Sequence, residues 1–178
     1  MRRRLVLIRH AKAAREAGGG DKERPLTRRG REDAARNGRY LVEEKLLPNL
    51  AVVSDARRTR ETLDCLLQAA GRSFKVLIDP ELYLAEDFIL LSELHKAPDL
   101  AQTMLVVGHN PGLADFAWRV TGSGDLEARK RLELKYPTSG LAVVEFDQKH
   151  WADIKWGTGR LERFVTPSIL VEGVDDLD

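Results

Sequence analysis

The strongest constraint in this chain is the run Leu5-Val6-Leu7-Ile8, followed at once by Arg9-His10. Four branched aliphatics in succession suit a strand covered on both faces, as in a parallel sheet flanked by helices. The two polar residues then fall at the strand's carboxyl end, where open α/β sheets place their ligands. An arginine beside an imidazole at that edge can hold an anion and attack it. The pair alone establishes no more, and its use depends on what the other strands deliver to the same edge.

The rest of the chain alternates helical and strand patterns. Residues 11–26 read as a loop carrying Gly18-Gly19-Gly20. No Lys-Ser/Thr follows the triplet, so it is flexible backbone rather than a P-loop. Thr27 is a suitable N-cap for a helix to about Leu47. Leu50–Ser54 is a second strand, and Leu63, Leu66, Leu67 and Ala70 mark a helix over residues 56–70 that stops at Gly71. Phe74–Ile78 is a third strand, followed by a helix over residues 86–95. Thr103–His109 is a fourth strand, and Asn110-Pro111-Gly112 opens a helix to about Thr121. Residues 123–137 read as a polar excursion with a short helix, and Gly140–Phe146 and Trp151–Trp156 as paired strands. This order predicts a three-layer α/β/α sandwich, its sheet mainly parallel with an antiparallel strand near the C-terminus. Residues 1–170 are expected to form a single domain and residues 171–178 a frayed acidic tail.

Composition narrows the functional classes. The 29 Lys+Arg nearly balance 28 Asp+Glu, which argues against a surface built for nucleic acid. Trp118, Trp151 and Trp156 read as packing residues, because no basic stripe interleaves them. The bunch Arg2-Arg3-Arg4 reads as a solvated face, and His95 and His150 as exposed. One cysteine, Cys65, excludes an internal disulfide and suits a buried structural thiol. No apolar run approaches a membrane span, and four aliphatics behind three arginines are too short for a signal peptide. The cytoplasm is the expected location.

Three of the strand ends carry polar residues of one kind: Arg9-His10, Ser54 followed by Arg57-Arg58, and Gly108-His109. A parallel sheet brings these ends to one side, so two histidines and two or three arginines can share a crevice. Arg57 and Arg58 also open a helix, whose free N–H groups and dipole favour an anion. A metal site built from the histidines with Asp55 or Asp115 is disfavoured, since the arginines would repel a divalent cation and no paired-ligand spacing occurs. No Gly-x-Ser-x-Gly elbow is present either. That leaves an imidazole as nucleophile, attacking phosphorus to form a phosphohistidine that water later hydrolyses. Arginines would stabilise the charge on the transferring oxygens. No cofactor or metal is called for.

These residues resemble the histidine phosphatase superfamily, which has the phosphoglycerate-mutase-like fold. Leu7-Ile8-Arg9-His10-Ala11 is similar to its Arg-His-Gly signature, with Ala11 in place of glycine. Arg24-Pro25-Leu26-Thr27-Arg28-Arg29-Gly30 resembles its Pro-Leu-Thr-x-x-Gly segment, and Ser54 to Thr62 its Ser-x-x-x-Arg-Ala-x-x-Thr motif. Val106 to Pro111 resembles the segment carrying its second histidine. Small size, Leu82-Tyr83 and Pro137-Thr138-Ser139-Gly140 resemble the SixA-type phosphohistidine phosphatase branch. The resemblance implies that His10 is the nucleophile, that Arg9, Arg58 (rather than Arg57) and His109 bind the phosphoryl oxygens, and that Arg24 is a further phosphate ligand.

An absence sharpens the expected substrate. Superfamily phosphoesterases carry a carboxylate soon after the third strand to protonate an alkoxide leaving group, and Leu84 falls at that place here. Glu81, Glu86 and Asp87 are the neighbouring candidates, each with an ordinary reading as a turn or helix-start charge. Without an acid, alkyl phosphates are hard to cleave, whereas the imidazole of a phosphohistidine leaves readily once protonated. The expected substrate is therefore a phosphohistidine-bearing protein, such as a phosphotransfer domain, with no nucleic acid or membrane involved. The alternatives are a small-molecule phosphomonoesterase using Glu81 or Glu86 as acid, and a non-catalytic phosphate-binding module.

Overall fold

The computed structural model of the chain describes residues 2–172. Its seven strands are β1 (Arg3–Arg9), β2 (Leu50–Ser54), β3 (Lys75–Asp79), β4 (Thr103–Gly108), β5 (Thr121–Gly124), β6 (Leu141–Phe146) and β7 (Gly159–Val165). They form one sheet in the order β3-β2-β4-β1-β6-β7-β5. Only β6 runs against the rest: it is antiparallel to β1 and to β7, and every other pairing is parallel. The helices are α1 (Arg28–Glu43), α2 (Arg57–Ala70), α3 (Asp87–His95), α4 (Gly112–Val120), α5 (Leu126–Leu134) and α6 (Pro167–Glu172). The expected α/β/α sandwich, mainly parallel with an antiparallel strand near the C-terminus, is the fold.

The central position of β1 follows from its side chains. Leu5, Val6, Leu7 and Ile8 are all 0% exposed, each contributing about 1.5–3 kcal/mol by burial. Leu5 and Leu7 pack with Met104, Val106, Leu113 and Phe116 on one face, while Val6 and Ile8 pack with Leu41, Leu63 and Leu66 on the other. A period of two thus feeds both helical layers. The register does the rest. Arg9 pairs with Gly108, and Val53 with Val107, so residues 10, 54 and 109 emerge level at one edge.

A glycine and a threonine hold α1 against that edge, and a second glycine ends α2 at its far end. Thr27 caps α1, its Oγ1 accepting from Gly30 N at 3.1 Å. A Cβ on Gly30 would lie 2.1 Å from Lys12 O, so only glycine lets α1 reach the chain just beyond His10. Gly71 ends α2 in the left-handed region at φ 60°.

Several boundaries differ from expectation. Trp151–Trp156 is not a strand: Trp151–Asp153 is a 3-10 turn, and the partner of β6 is β7. Trp151 and Ile154 are both 0% exposed, and that spacing of three is the period of a turn rather than a strand. Helix α1 stops at Glu43 rather than Leu47, because Lys45 turns left-handed (φ 58°) and drops Leu46 back into the core. Strand β5 lies in a Thr-Gly-Ser-Gly stretch with no strand signal, and Gly122 serves there for close approach to Gly157 O. Arg3 does not lie on a solvated face. It is 5% exposed, and its guanidinium donates to the carbonyls of Asp99, Ala101 and Lys149. His95 is half-buried, pairing with Ile154 O, and Cys65 is half-buried rather than buried. Trp118 is 40% exposed with Arg129 over its ring, not packed inside. Val171 and Glu172, expected in a frayed tail, belong to α6, and the rest of that expected tail, residues 173–178, lies outside the described residues. Among the described residues no helix is long and apolar enough to cross a membrane.

The contact at Lys12 O yields a test. Gly30→Ala should destabilise the protein by about 1–3 kcal/mol through overpacking. Thermal unfolding followed by circular dichroism should read this as a Tm drop of roughly 2–4 °C per kcal/mol.

Candidate active site

His10 leaves the end of β1 with its backbone N–H bonded to Gly108 O at 3.1 Å. Its ring is 7% exposed, and Nδ1 lies 2.8 Å from the carbonyl oxygen of Ala11. A carbonyl only accepts, so Nδ1 carries the proton and Nε2 keeps its lone pair. The next N–H, that of Ala11, donates to Thr62 Oγ1 at 2.9 Å, and Thr62 in turn donates to Arg58 O at 2.6 Å. The motif threonine therefore ties the first turns of α2 to the end of β1. Thr59 Oγ1 donates to Ser54 O at 2.7 Å and anchors the same turn to β2. Ser139 N, bonded to the carbonyls of Arg9 and His10, closes the other side.

The partners converge as the strand ends predicted. His109 is 3% exposed, and its ring centroid lies 5.4 Å from that of His10. Arg58 is 2% exposed, and its Nη2 lies 3.3 Å from His109 Nδ1. A guanidinium only donates, so His109 Nδ1 accepts and its Nε2–H donates to Ser54 Oγ at 2.7 Å. Arg9 donates through Nη1 to Tyr136 O at 3.0 Å, and its guanidinium feels the charge of Arg58. Arg57, by contrast, is exposed and pairs with Glu61. Arg24 sits at the rim, donating to Asp21 Oδ1 and Ala14 O, while its charge still acts on His10.

Electrostatics makes this pocket a place for an anion. Burial pushes the His10 imidazole down to about 4, with Arg58, Arg9 and Arg24 adding to the effect. Burial and then Arg58 push His109 down to about 3. Both rings are therefore neutral at pH 7 beside the Arg9 and Arg58 guanidinium groups, of which Arg58 also meets a carboxylate, that of Asp21. A neutral imidazole with a free Nε2 is the nucleophilic form.

Two residues in the site carried no sequence signal as functional groups. Asp21, in a short turn over Asp21–Glu23, accepts from Arg58 Nη1 at its carbonyl (2.9 Å) and from Arg58 Nη2 at Oδ2 (3.2 Å). Tyr83 donates its hydroxyl to Asp21 Oδ2 and sets its ring edge-on to His109 at 5.5 Å. The carboxylates weighed as acids lie elsewhere. Glu81 is exposed beside Asp79 and Lys96, and Asp87 pairs with Arg119. Glu86 is an exposed helix-start residue whose side chain caps nothing. Leu84 is 52% exposed in the left-handed region at φ 49°.

The chain as a whole is similar to known proteins. Residues 5–83 match the histidine phosphatase superfamily (branch 1). An uncharacterized protein of Mycobacterium tuberculosis is 33% identical over 163 residues, covering 90% of this chain and 99% of that one. A structure named as the phosphohistidine phosphatase SixA of Nakamurella multipartitia is 32% identical, covers 94% of this chain and 97% of that one, and superposes with a TM-score of 0.81. A second SixA-named structure, from Agrobacterium tumefaciens, is 28% identical over 93% of this chain and 98% of that one, with a TM-score of 0.78.

The histidines set a pH dependence. In the unfolded chain both rings take a proton near pH 6.5, whereas the folded pocket refuses one until pH about 4 or below. Their contribution to stability is thus complete above about pH 6.5 and is lost as pH falls toward 4. Urea denaturation should give a midpoint that drops between pH 7 and pH 4.5, with a smaller drop in His109→Gln.

Proposed function

This chain belongs to the histidine phosphatase superfamily, in its SixA-type branch, and on that premise we propose that it hydrolyses phosphohistidine on a signalling or phosphotransfer protein. It is a phosphatase by family. The finer reading is carried by one observation: of the carboxylates that follow β3, Glu81 and Glu86 are exposed and Asp87 is held by Arg119, leaving no acid there for an alkoxide. A phosphohistidine has less need of one, because its ring can be protonated on the nitrogen opposite phosphorus and then leaves as neutral imidazole.

The chemistry proceeds from groups already described. The phosphoryl oxygens settle among Arg9, Arg58 and His109, with Arg24 as a rim contact. His10 Nε2 attacks phosphorus, the P–N bond of the substrate breaks, and its electron pair returns to the departing ring. The arginines stabilise the equatorial oxygens during transfer. His10 Nδ1 keeps its proton against Ala11 O. The enzyme's own phosphohistidine is therefore held as an imidazolium, a good leaving group for attack by water. His109 gains a reason to be protonated once a dianion lies beside it, and can then donate to a phosphoryl oxygen.

The phosphomonoesterase alternative finds no carboxylate where it needs one, at Glu81 or Glu86. A non-catalytic phosphate-binding module has no use for a nucleophile held in its reactive tautomer.

His10→Ala should abolish turnover of a phosphohistidine protein and the acid-labile phosphoenzyme seen by labelling, with the fold intact by circular dichroism. Unchanged turnover in that variant would refute the mechanism. Arg58→Ala should lower kcat/KM by about 10²–10³-fold. Side-by-side rates on a phosphohistidine protein, an aryl phosphate and several alkyl phosphates should fall in that order, and an alkyl phosphate cleaved fastest would overturn the substrate assignment.

A further inference from the structure

Hydrolysis of the phosphoenzyme requires a group to take a proton from water, and the strand ends supply none. His10 holds its Nδ1 proton, His109 is protonated beside the phosphoryl dianion, and the arginines only donate. Asp21 is the carboxylate that reaches Arg58. Its Oδ2 accepts from Arg58 Nη2 (3.2 Å) and from the Tyr83 hydroxyl, its Oδ1 from Arg24 Nε (3.0 Å), and its carbonyl from Arg58 Nη1 (2.9 Å). Asp21 lies on the outer side of the guanidinium. Its side chain is 49% exposed, whereas His10 is 7% exposed on the floor of the pocket. A group leaving phosphorus departs roughly in line with the attacking imidazole, so it leaves outward, and water enters by the same route.

We propose that Asp21 is the general base of this site, accepting the proton of the water molecule that hydrolyses phosphorylated His10. The assignment rests on the phosphatase reading above and deepens it. The step balances. Water oxygen forms a bond to phosphorus, the P–Nε2 bond breaks, and its electron pair returns to His10, which is left neutral with its proton on Nδ1. One water proton passes to the Asp21 carboxylate, and the other leaves with phosphate as the hydrogen phosphate dianion.

The groups facing Asp21 make its proton affinity depend on occupancy. Arg58 comes from α2, Arg24 and Lys22 from its own turn, Tyr83 from the segment after β3, and His109 lies behind Arg58; Lys22 is itself paired with Asp55 at 2.7 Å. With no anion bound, the Tyr83 hydrogen bond, followed by Arg58 and Arg24, holds the carboxyl below the usual carboxylate range, so it waits as a base. A phosphoryl group on His10 draws Arg58 away and adds negative charge nearby, and both effects raise the affinity for a proton. This happens at the step that delivers one. When phosphate departs, Arg58 returns to Asp21 and expels the proton to solvent.

Rapid-quench kinetics with p-nitrophenyl phosphate separates the two half-reactions. Asp21→Asn should keep a one-equivalent burst of nitrophenol at an undiminished rate, slow the following steady state by about 10²–10⁴-fold, and accumulate phosphoenzyme. Tyr83→Phe removes the contact that most lowers the Asp21 carboxyl, so the acid limb of phosphoenzyme hydrolysis should move to higher pH. Equal slowing of both phases in Asp21→Asn would reduce Asp21 to a positioning residue for Arg58. Acceleration of both would make it merely a competing anion, and an unmoved limb in Tyr83→Phe would equally overturn the base assignment. Failure of the unsubstituted protein to form any phosphoenzyme is a different result, and overturns the phosphatase reading itself.

Discussion

Everything in this site hangs on the in-register pairing of β1 with β4. Because Arg9 lies opposite Gly108, the two histidines that follow are neighbours by backbone geometry before any side chain is considered. The four aliphatics of β1 hold that register, since a slip of one residue would turn Leu5 and Leu7 into the opposite helical layer. Burial of an apolar strand thus sets the spacing of a polar site. The cost of gathering cations at the strand ends is met by the same core that aligns them.

Charge in the pocket combines opposition with pairing. Arg9 feels the charge of Arg58, two imidazoles beside them stay neutral, and the carboxylate that answers Arg58 comes from a short turn after Gly20 rather than from the sheet. A rigid floor and a rim built on a short turn therefore divide the work. The floor carries the covalent chemistry, and the rim responds to whether an anion is bound.

What was legible in the sequence, and what was not, follows the same division. Residues 5–10, 54–62 and 103–110 announce themselves because hydrophobic runs and turn signals place His10, Arg58 and His109 at strand ends. The pairing partner of β6 was misread because aromatic residues at Trp151 and Trp156 imitate a strand, while Arg160, Glu162 and Arg163 in β7 look like a solvated stretch. Arg160 pairs with Glu145 on neighbouring β6 and with Glu162, and Arg163 pairs with Glu44 at the end of α1, a tertiary pattern that local propensity does not carry. Asp21 escaped notice for a comparable reason. Nothing in Asp-Lys-Glu-Arg distinguishes a carboxylate that folds over a buried arginine 37 residues away from one that faces water.

The bond from His10 Nδ1–H to the carbonyl of Ala11 has an effect on how the protein tolerates change. Tautomer choice in a histidine is usually entrusted to a carboxylate or another side chain, which a single substitution deletes. Here the selecting atom belongs to the main chain, and every amino acid at position 11 would bring the same oxygen. No point substitution removes it outright; only a shift in the path of the chain can. The reactivity of the nucleophile is thereby insured against ordinary mutation and made hostage to the backbone, so that local loosening at the end of β1 and loss of chemistry become one event.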